Sequence, residues 1–457
     1  MQNISTDKIY SGAATSQVTE DLKPLVNFKN EGLSIEELTE LLEKKLLPHL
    51  MNYSLPEFQS MFNAFPEEGA KLGAKIALDY NQGVTNWIVS PGGAMLEELC
   101  VRALCRLFGL PESADGTFMY CGTYANQEAV YLALHRKAEK YGFNFSKTGL
   151  KGFKESKNLA VAISSDAHFS IKHAVRMLGI GEENLVILPV DNNRRIDVQK
   201  MNEELEEAKR EREIFCLVAT AGTTSTGSVD PIKGIVPYCK DNDIWLHVDG
   251  AYGLAYSLVP EWKPLFAGME EANSVSWDPH KQLGIPIPNS LLFVRQWKDF
   301  SRMAVHSSYF NREEDVEPNP GLKSPPSTRP FSALPLVTSL LYQGMEKVVQ
   351  RLRAPLTTIR DIYNYLKDQQ DIEVCHKPDT GILCFRVIPE GLEEDKLDEL
   401  QQSIYKRILS EGKRSISMTQ LDGRRMLRFL AISPVVDYNA LMETISEIRE
   451  KVKEFSI

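Results

Sequence analysis

The sequence predicts an α/β protein: a large domain on a mostly parallel sheet, preceded by a helical segment and followed by a small α+β domain. Three stretches carry that expectation. Residues 214–230 (IFCLVATAGTTSTGSVD), 244–253 (IWLHVDGAYG) and 272–286 (ANSVSWDPHKQLGIP) each begin with a short, largely apolar run and end in turn residues. Such runs read as buried strands of a sheet covered on both faces. Each places polar or charged residues at its C-terminal end, where open α/β sheets bind ligands.

A chain of 457 residues exceeds one simple core, which argues for a large domain plus a smaller one. The net charge of −10 argues against nucleic acid or an anionic membrane as partner. No apolar run approaches the roughly 18 residues of a membrane helix, and the opening MQNISTDKIYSGAATSQ lacks the apolar core of a signal peptide. Seven scattered cysteines with no C-x-x-C pair predict reduced, mostly buried thiols and a cytoplasmic location. The eight histidines form no H-E-x-x-H or clustered set, so no metal is expected.

In chain order, residues 1–32 show few periodic signals and are expected to be extended or poorly ordered. Ser34 and Glu37 have capping-box spacing, and Leu38, Leu41, Leu42 and Leu46 form a helical stripe, so a helix burying one face should start there. A turn is expected at Pro91-Gly92-Gly93 before a helix to Leu107, and another turn at 116–121. Gly122-Thr123 then opens a helix to about Glu139, and its unpaired first N–H groups make an anion site, with a plain threonine cap as the alternative. A strand at 159–165 leads to DAHFS and His168. Residues 179–184 turn, 198–212 form a solvated charged helix, and 290–295 form a strand. Residues 308–329 are rich in Pro, Asn, Ser and charge and exceed a normal connector, which predicts a lid closed off by Arg329. From about Pro330 the pattern is helical. Strands at 381–387 and 426–432 and helices at 396–410 and 439–455 follow. The expected division is 1–90, 91–330 and 331–457.

The three strand ends together supply an acid, an amine and an anion cradle. Asp249 is costly to bury unless it meets a positive charge. The Gly/Thr/Ser turn after residue 220 offers N–H groups and hydroxyls to a phosphate. Lys281 follows Pro279 and His280, just past a strand at 274–278 with Val275 and Trp277 on one face. That set is what pyridoxal 5'-phosphate requires.

The motifs TAGTTSTGSVD, WLHVDGAYG and SVSWDPHK, with MYCGTYANQEA and SSDAHFSIKHA upstream, run in order from about Pro91 to Arg329. In them the chain resembles the group II pyridoxal-phosphate decarboxylases, the family of glutamate, aromatic-amino-acid, cysteine-sulfinate and diaminobutyrate decarboxylases. The separation of 32 positions from Asp249 to Lys281 matches that family's spacing. The resemblance implies a fold-type I transferase-like large domain and a homodimer with the N-terminal region across the partner. It further implies a Schiff-base role for Lys281, Asp249 at the pyridine nitrogen, and His168 stacked on the ring with Ala251 on the opposite face. Thr224 and Asp230 resemble a pair in which the acid orients the hydroxyl under the cofactor. Cys121, Gly122 and Thr123 are assigned to the phosphate, with Asp278 and His280 near that end. Phe62, Asn63 and Ala64 align with the substrate pocket, and Arg428 with an arginine aimed at a substrate carboxylate.

One departure stands out. The family carries a tyrosine on the loop after the lysine, thought to protonate Cα after carbon dioxide leaves. Here YFNREED at 309–315 resembles diaminobutyrate-type members, yet no tyrosine lies between Tyr309 and Tyr342. The expected function is decarboxylation of an L-amino acid to its amine. The alternatives are a decarboxylation-dependent oxidase or transaminase on the same site, and a non-catalytic binding protein.

Overall fold

The computed structural model describes residues 8–154, 158–308, 311–314 and 316–455. They form two compact units, one from 66–353 with 378–380, the other from 1–65, 354–377 and 381–457. Tyr309, Phe310 and Asp315, part of the expected lid, lie outside the described residues.

The larger unit is organised on a seven-stranded sheet. Its strands are β1 (Asp115–Met119), β2 (Leu159–Ser164), β3 (Leu185–Leu188), β4 (Glu213–Thr220), β5 (Trp245–Asp249), β6 (Ser274–Trp277) and β7 (Ser290–Val294). Their order is β1-β7-β6-β5-β4-β2-β3. The pairings among β2 to β6 are parallel, and β7 runs antiparallel between β6 and β1. The three strands of the expected site, β4, β5 and β6, are therefore adjacent and point the same way. Nearly every residue in them is buried, which is why β4 and β5 read as largely apolar runs, while in β6 the small Ser274 and Ser276 alternate with Val275 and Trp277.

The smaller unit holds an antiparallel sheet of β8 (Ile372–Val374), β9 (Ile382–Val387), β10 (Ser417–Leu421) and β11 (Arg424–Leu430), in the order β10-β11-β9-β8. Helices Glu394–Glu411 and Tyr438–Lys453 give it a core around Phe385, Leu400, Ile404, Phe429, Leu441 and Ile445.

Several expectations are corrected. The first 32 residues are not wholly extended: α1 (Thr15–Leu22) and a 3₁₀ turn at Lys23–Val26 lie within them. Helix α2 (Ile35–Lys45) has the Ser34–Glu37 capping box, but none of its residues is buried within the chain. A stripe records that a helix covers something, not that its own chain provides it. In the larger unit α3 (Glu68–Tyr80) precedes α4 (Pro91–Leu107), whose first residue is Pro91. The expected turn is thus a helix start, since proline's missing N–H costs nothing at that position. Residues 115–119 are the edge strand β1 rather than a turn. Gly116 misleads: it sits in a strand because a Cβ there would lie 2.9 Å from Phe293 Cδ1 and 3.0 Å from the Leu292 carbonyl. The charged helix, Val198–Ala208, also buries Met201 and Leu205, so it is more than a solvated face.

Candidate active site

The ends of β4, β5 and β6 and the N-terminus of α5 (Gly122–Lys140) build the site. Lys281 lies in the turn after β6, where its Nζ donates to Asp278 Oδ2 at 3.1 Å. Asp278 is buried, accepts the Ser290 hydroxyl at 2.6 Å through Oδ1, and has His280 Nε2 3.7 Å from Oδ2. Nδ1–H of His280 donates to the Asn289 carbonyl at 2.6 Å, and burial lowers the pKa of that imidazole.

Asp249 ends β5 and is buried. Its Oδ1 accepts from Ser276 Oγ and the Ala251 N–H, both at 3.2 Å; its Oδ2 accepts Asn126 Nδ2 at 2.7 Å. Behind these contacts lies a chain that sequence reasoning missed. Trp245 Nε1–H donates to Ser274 Oγ at 2.9 Å, and Ser274 Oγ lies 2.9 Å from His247 Nδ1. His247 Nε2 lies 2.9 Å from Asn126 Oδ1. An amide oxygen only accepts, so the imidazole carries its proton on Nε2 and accepts the hydrogen bond of the Ser274 hydroxyl at Nδ1. Every bond thus donates in one direction, from the indole towards Asp249. The acceptor at its end is Asp249 Oδ2. The signal was in the sequence: His247 and Asp249 are two apart on one strand, Ser274 and Ser276 likewise, and the register pairs His247 with Ser274 and Asp249 with Ser276.

His168 follows β2. Its Nδ1 accepts the Ser170 N–H at 3.2 Å, which leaves the proton of a neutral ring on Nε2. Burial lowers its pKa; Asp249 opposes that shift, Lys281 adds to it, and Asp278 opposes it. Asn126 also donates to Ser170 Oγ at 2.9 Å, so one amide ties Asp249 to the turn carrying His168.

Pyridoxal phosphate fits this set of donors. Cys121 precedes α5 in extended conformation without a side-chain cap, so the first amides of a 19-residue helix remain for an anion. Gly122 leaves room there: a Cβ would lie 2.9 Å from Asp278 Oδ2 and 3.1 Å from Ala251 Cβ. The same contacts place Gly122, Ala251 and Asp278 together. Asp230 is fully buried, and its oxygens accept the N–H groups of Ile196 at 2.8 Å and Thr220 at 2.7 Å. It thereby ties down the base of the turn that carries Thr224, which is half-buried.

The substrate-contact candidates fall in the smaller unit. Arg428 is buried, donates to the Ser60 carbonyl at 2.8 Å and Ser417 Oγ at 2.7 Å, and lies 5.2 Å from the centre of the Phe62 ring. A surface role for Arg428 is excluded. Asn63 is half-buried and Ala64 buried in the same segment.

Residues 19–388 match the pyridoxal-dependent decarboxylase conserved domain. The chain belongs to this family. It is a carboxy-lyase that uses pyridoxal 5'-phosphate. An L-2,4-diaminobutyrate decarboxylase from Acinetobacter baumannii is 24% identical over 99% of this chain and 91% of its own length. An aromatic-L-amino-acid decarboxylase from Bacillus atrophaeus is 26% identical over 93% and 87%. Among solved structures, the glutamate decarboxylase domain of the Vibrio parahaemolyticus diaminobutyrate-pyruvate transaminase and L-2,4-diaminobutyrate decarboxylase superposes with a TM-score of 0.88. It is 24% identical, with 99% of this chain and 92% of that one covered. The Rhodiola rosea 4-hydroxyphenylacetaldehyde synthase gives 0.87 at 20% identity, with 99% and 95% covered. These two likenesses speak to fold alone. Among the described residues no helix is long and apolar enough to cross a membrane.

Proposed function

We propose that this enzyme removes the α-carboxylate of an L-amino acid, with Lys281 as the cofactor lysine, and that it works as a homodimer. The observation that carries the reading is the meeting of Lys281, Asp278 and Gly122 with a buried Asp249, which accepts three hydrogen bonds, at the ends of adjacent parallel strands. The bound cofactor supplies an electron sink for the pair released when the bond from Cα to the carboxylate breaks. Lys281 would hold the cofactor through its amine. Asp249, oriented by Asn126 and Ser276, accepts the hydrogen of the pyridine nitrogen and keeps it protonated. The amides of Gly122 and Thr123 hold the phosphate with the helix dipole. His168, whose Nδ1 accepts the Ser170 N–H, would face the cofactor ring from the side opposite Ala251 and would offer Nε2–H to the substrate carboxylate. Substrate choice is assigned to Phe62, Asn63, Ala64 and Arg428 on resemblance alone.

A second reading, on the same site, is a carbonyl product. It is favoured by the lack of a tyrosine between Tyr309 and Tyr342. One experiment decides between them. A panel of L-amino acids is incubated with holoenzyme, and carbon dioxide, amine, carbonyl compound and oxygen uptake are measured together. Amine matching carbon dioxide mole for mole supports decarboxylation to the amine. Carbonyl product with oxygen uptake or cofactor loss supports the second reading. Lys281→Ala should abolish both, and undiminished turnover in that variant would remove Lys281 from its role.

A further inference from the structure

Asn126 and Glu128 lie almost opposite one another around α5, two residues and about 200° apart. Asn126 serves the active site; Glu128 lines a separate cavity of about 620 Å³, within the range of small-molecule sites. Lys281, Asp249, Asp278 and His168 take no part in lining it. Its walls are mostly apolar or aromatic and include Tyr120, Tyr124, Tyr131, Leu178, Met303 and Val305.

Glu128 is 3% exposed, and among the described residues neither carboxylate oxygen has a hydrogen-bond partner. The side-chain oxygen of its neighbour Gln127, which also lines the cavity, has none either. The two arginines in the wall are committed elsewhere. Arg329 pairs with Glu97 and also donates to the Val84 carbonyl, Thr117 and Ser324. Arg302 holds Glu139 with two bonds of 2.7 Å and also pairs with Asp299. An isolated buried carboxyl without hydrogen bonds is costly and needs an explanation. Burial pushes its pKa well above the usual carboxylate range, with Arg329 opposing the shift.

We propose that this cavity is a binding site for an organic ammonium ion with an aromatic or aliphatic body, its N–H groups donating to Glu128 and Gln127. Such a ligand supplies what Glu128 and Gln127 lack, hydrogen-bond donors with a counter-charge not already committed to another carboxylate. Its body fills the apolar walls, and the tyrosine faces favour a cation. A neutral or anionic ligand of the same shape lacks the charge.

The probe is benzylammonium, titrated calorimetrically into holoenzyme previously reduced with borohydride, in which the cofactor is fixed and cannot react with an added amine. One site per chain is expected, with benzyl alcohol and benzoate at least about tenfold weaker on the same protein. Glu128→Gln should weaken benzylammonium by at least about tenfold while leaving the cofactor absorbance in place. No binding of benzylammonium, benzyl alcohol binding as well, or an unchanged Glu128→Gln would each overturn the proposal. The comparison of probes uses the parent protein, so it stands even if the variant misfolds. Because the reduced enzyme turns nothing over, the result is independent of which reaction the active site performs.

Discussion

His247 shows how much one buried residue contributes to the site without touching a ligand. Asn126 Oδ1 fixes the proton on Nε2, and the Ser274 hydroxyl occupies Nδ1. Burial lowers the pKa of this imidazole to about 4, with Asp249 opposing the shift. In the unfolded chain the value returns to about 6.5. Between those values the unfolded state binds more protons, so stability rises with pH there and is lost as pH falls from 6.5 towards 4. The loss is on the order of 3 kcal/mol, and above 6.5 the residue adds no pH dependence. The expected outcome is that His247→Gln flattens the plot of thermal midpoint against pH between 7 and 4.5, while destabilising the protein modestly at pH 7.5. An equally steep acid limb in the variant would move the titration elsewhere, with His135, also lowered to about 4 by burial, the first candidate.

At the scale of elements, what could be read in the sequence follows from how each signal is stored. The strands β4, β5 and β6 are buried on both faces, so composition alone marks them, and their terminal residues point to Asp249 and Lys281. Gly116 hid β1, because the reason for a glycine there is the crowding of Phe293 from a distant strand. Four-residue β3 carries too little pattern to stand out, and α1 has no buried residue and so no stripe. Long-range polar ties are invisible in a sequence, and residues 308–329 show the consequence. The later part of this expected lid is fastened within its unit. The Trp87 N–H donates to the Pro318 carbonyl at 3.1 Å and the Gly321 N–H to the Thr85 carbonyl at 2.7 Å. Lys323 is held by Glu98 and Asp115, both at 2.7 Å. Any closing motion therefore belongs before Pro318. Limited trypsin digestion followed by mass spectrometry should show early cleavage after exposed Arg312, with Lys323 resistant, because proteolysis samples the least protected backbone. Early cuts at Lys323 would mean that the whole segment opens.

For the whole molecule the informative observation is apolar surface left uncovered. On α3, Leu72, Ile76 and Tyr80 recur every four residues along one face, and all three are exposed, as are Trp87, Ile88 and Val89 shortly after. On α2, a helix with a complete capping box, Ile35 and Leu38 are exposed as well. Single exposed apolar residues are ordinary, whereas contiguous ones mark association surfaces. A helix that is well capped and striped yet has no fully buried residue within its chain offers a surface for the proposed homodimer. Sedimentation equilibrium at micromolar concentration should accordingly give twice the 51.6 kDa chain mass. The double variant Leu72→Glu, Ile76→Glu should shift the mass towards one chain. Two carboxylates brought into a desolvated contact cost several kcal/mol, while on the free surface of α3 they meet water. Far-UV circular dichroism of the variant should therefore match the parent. A parent that sediments as a single chain would remove the homodimer from the proposal. A double variant that stays dimeric with its fold intact would place the contact away from this face of α3.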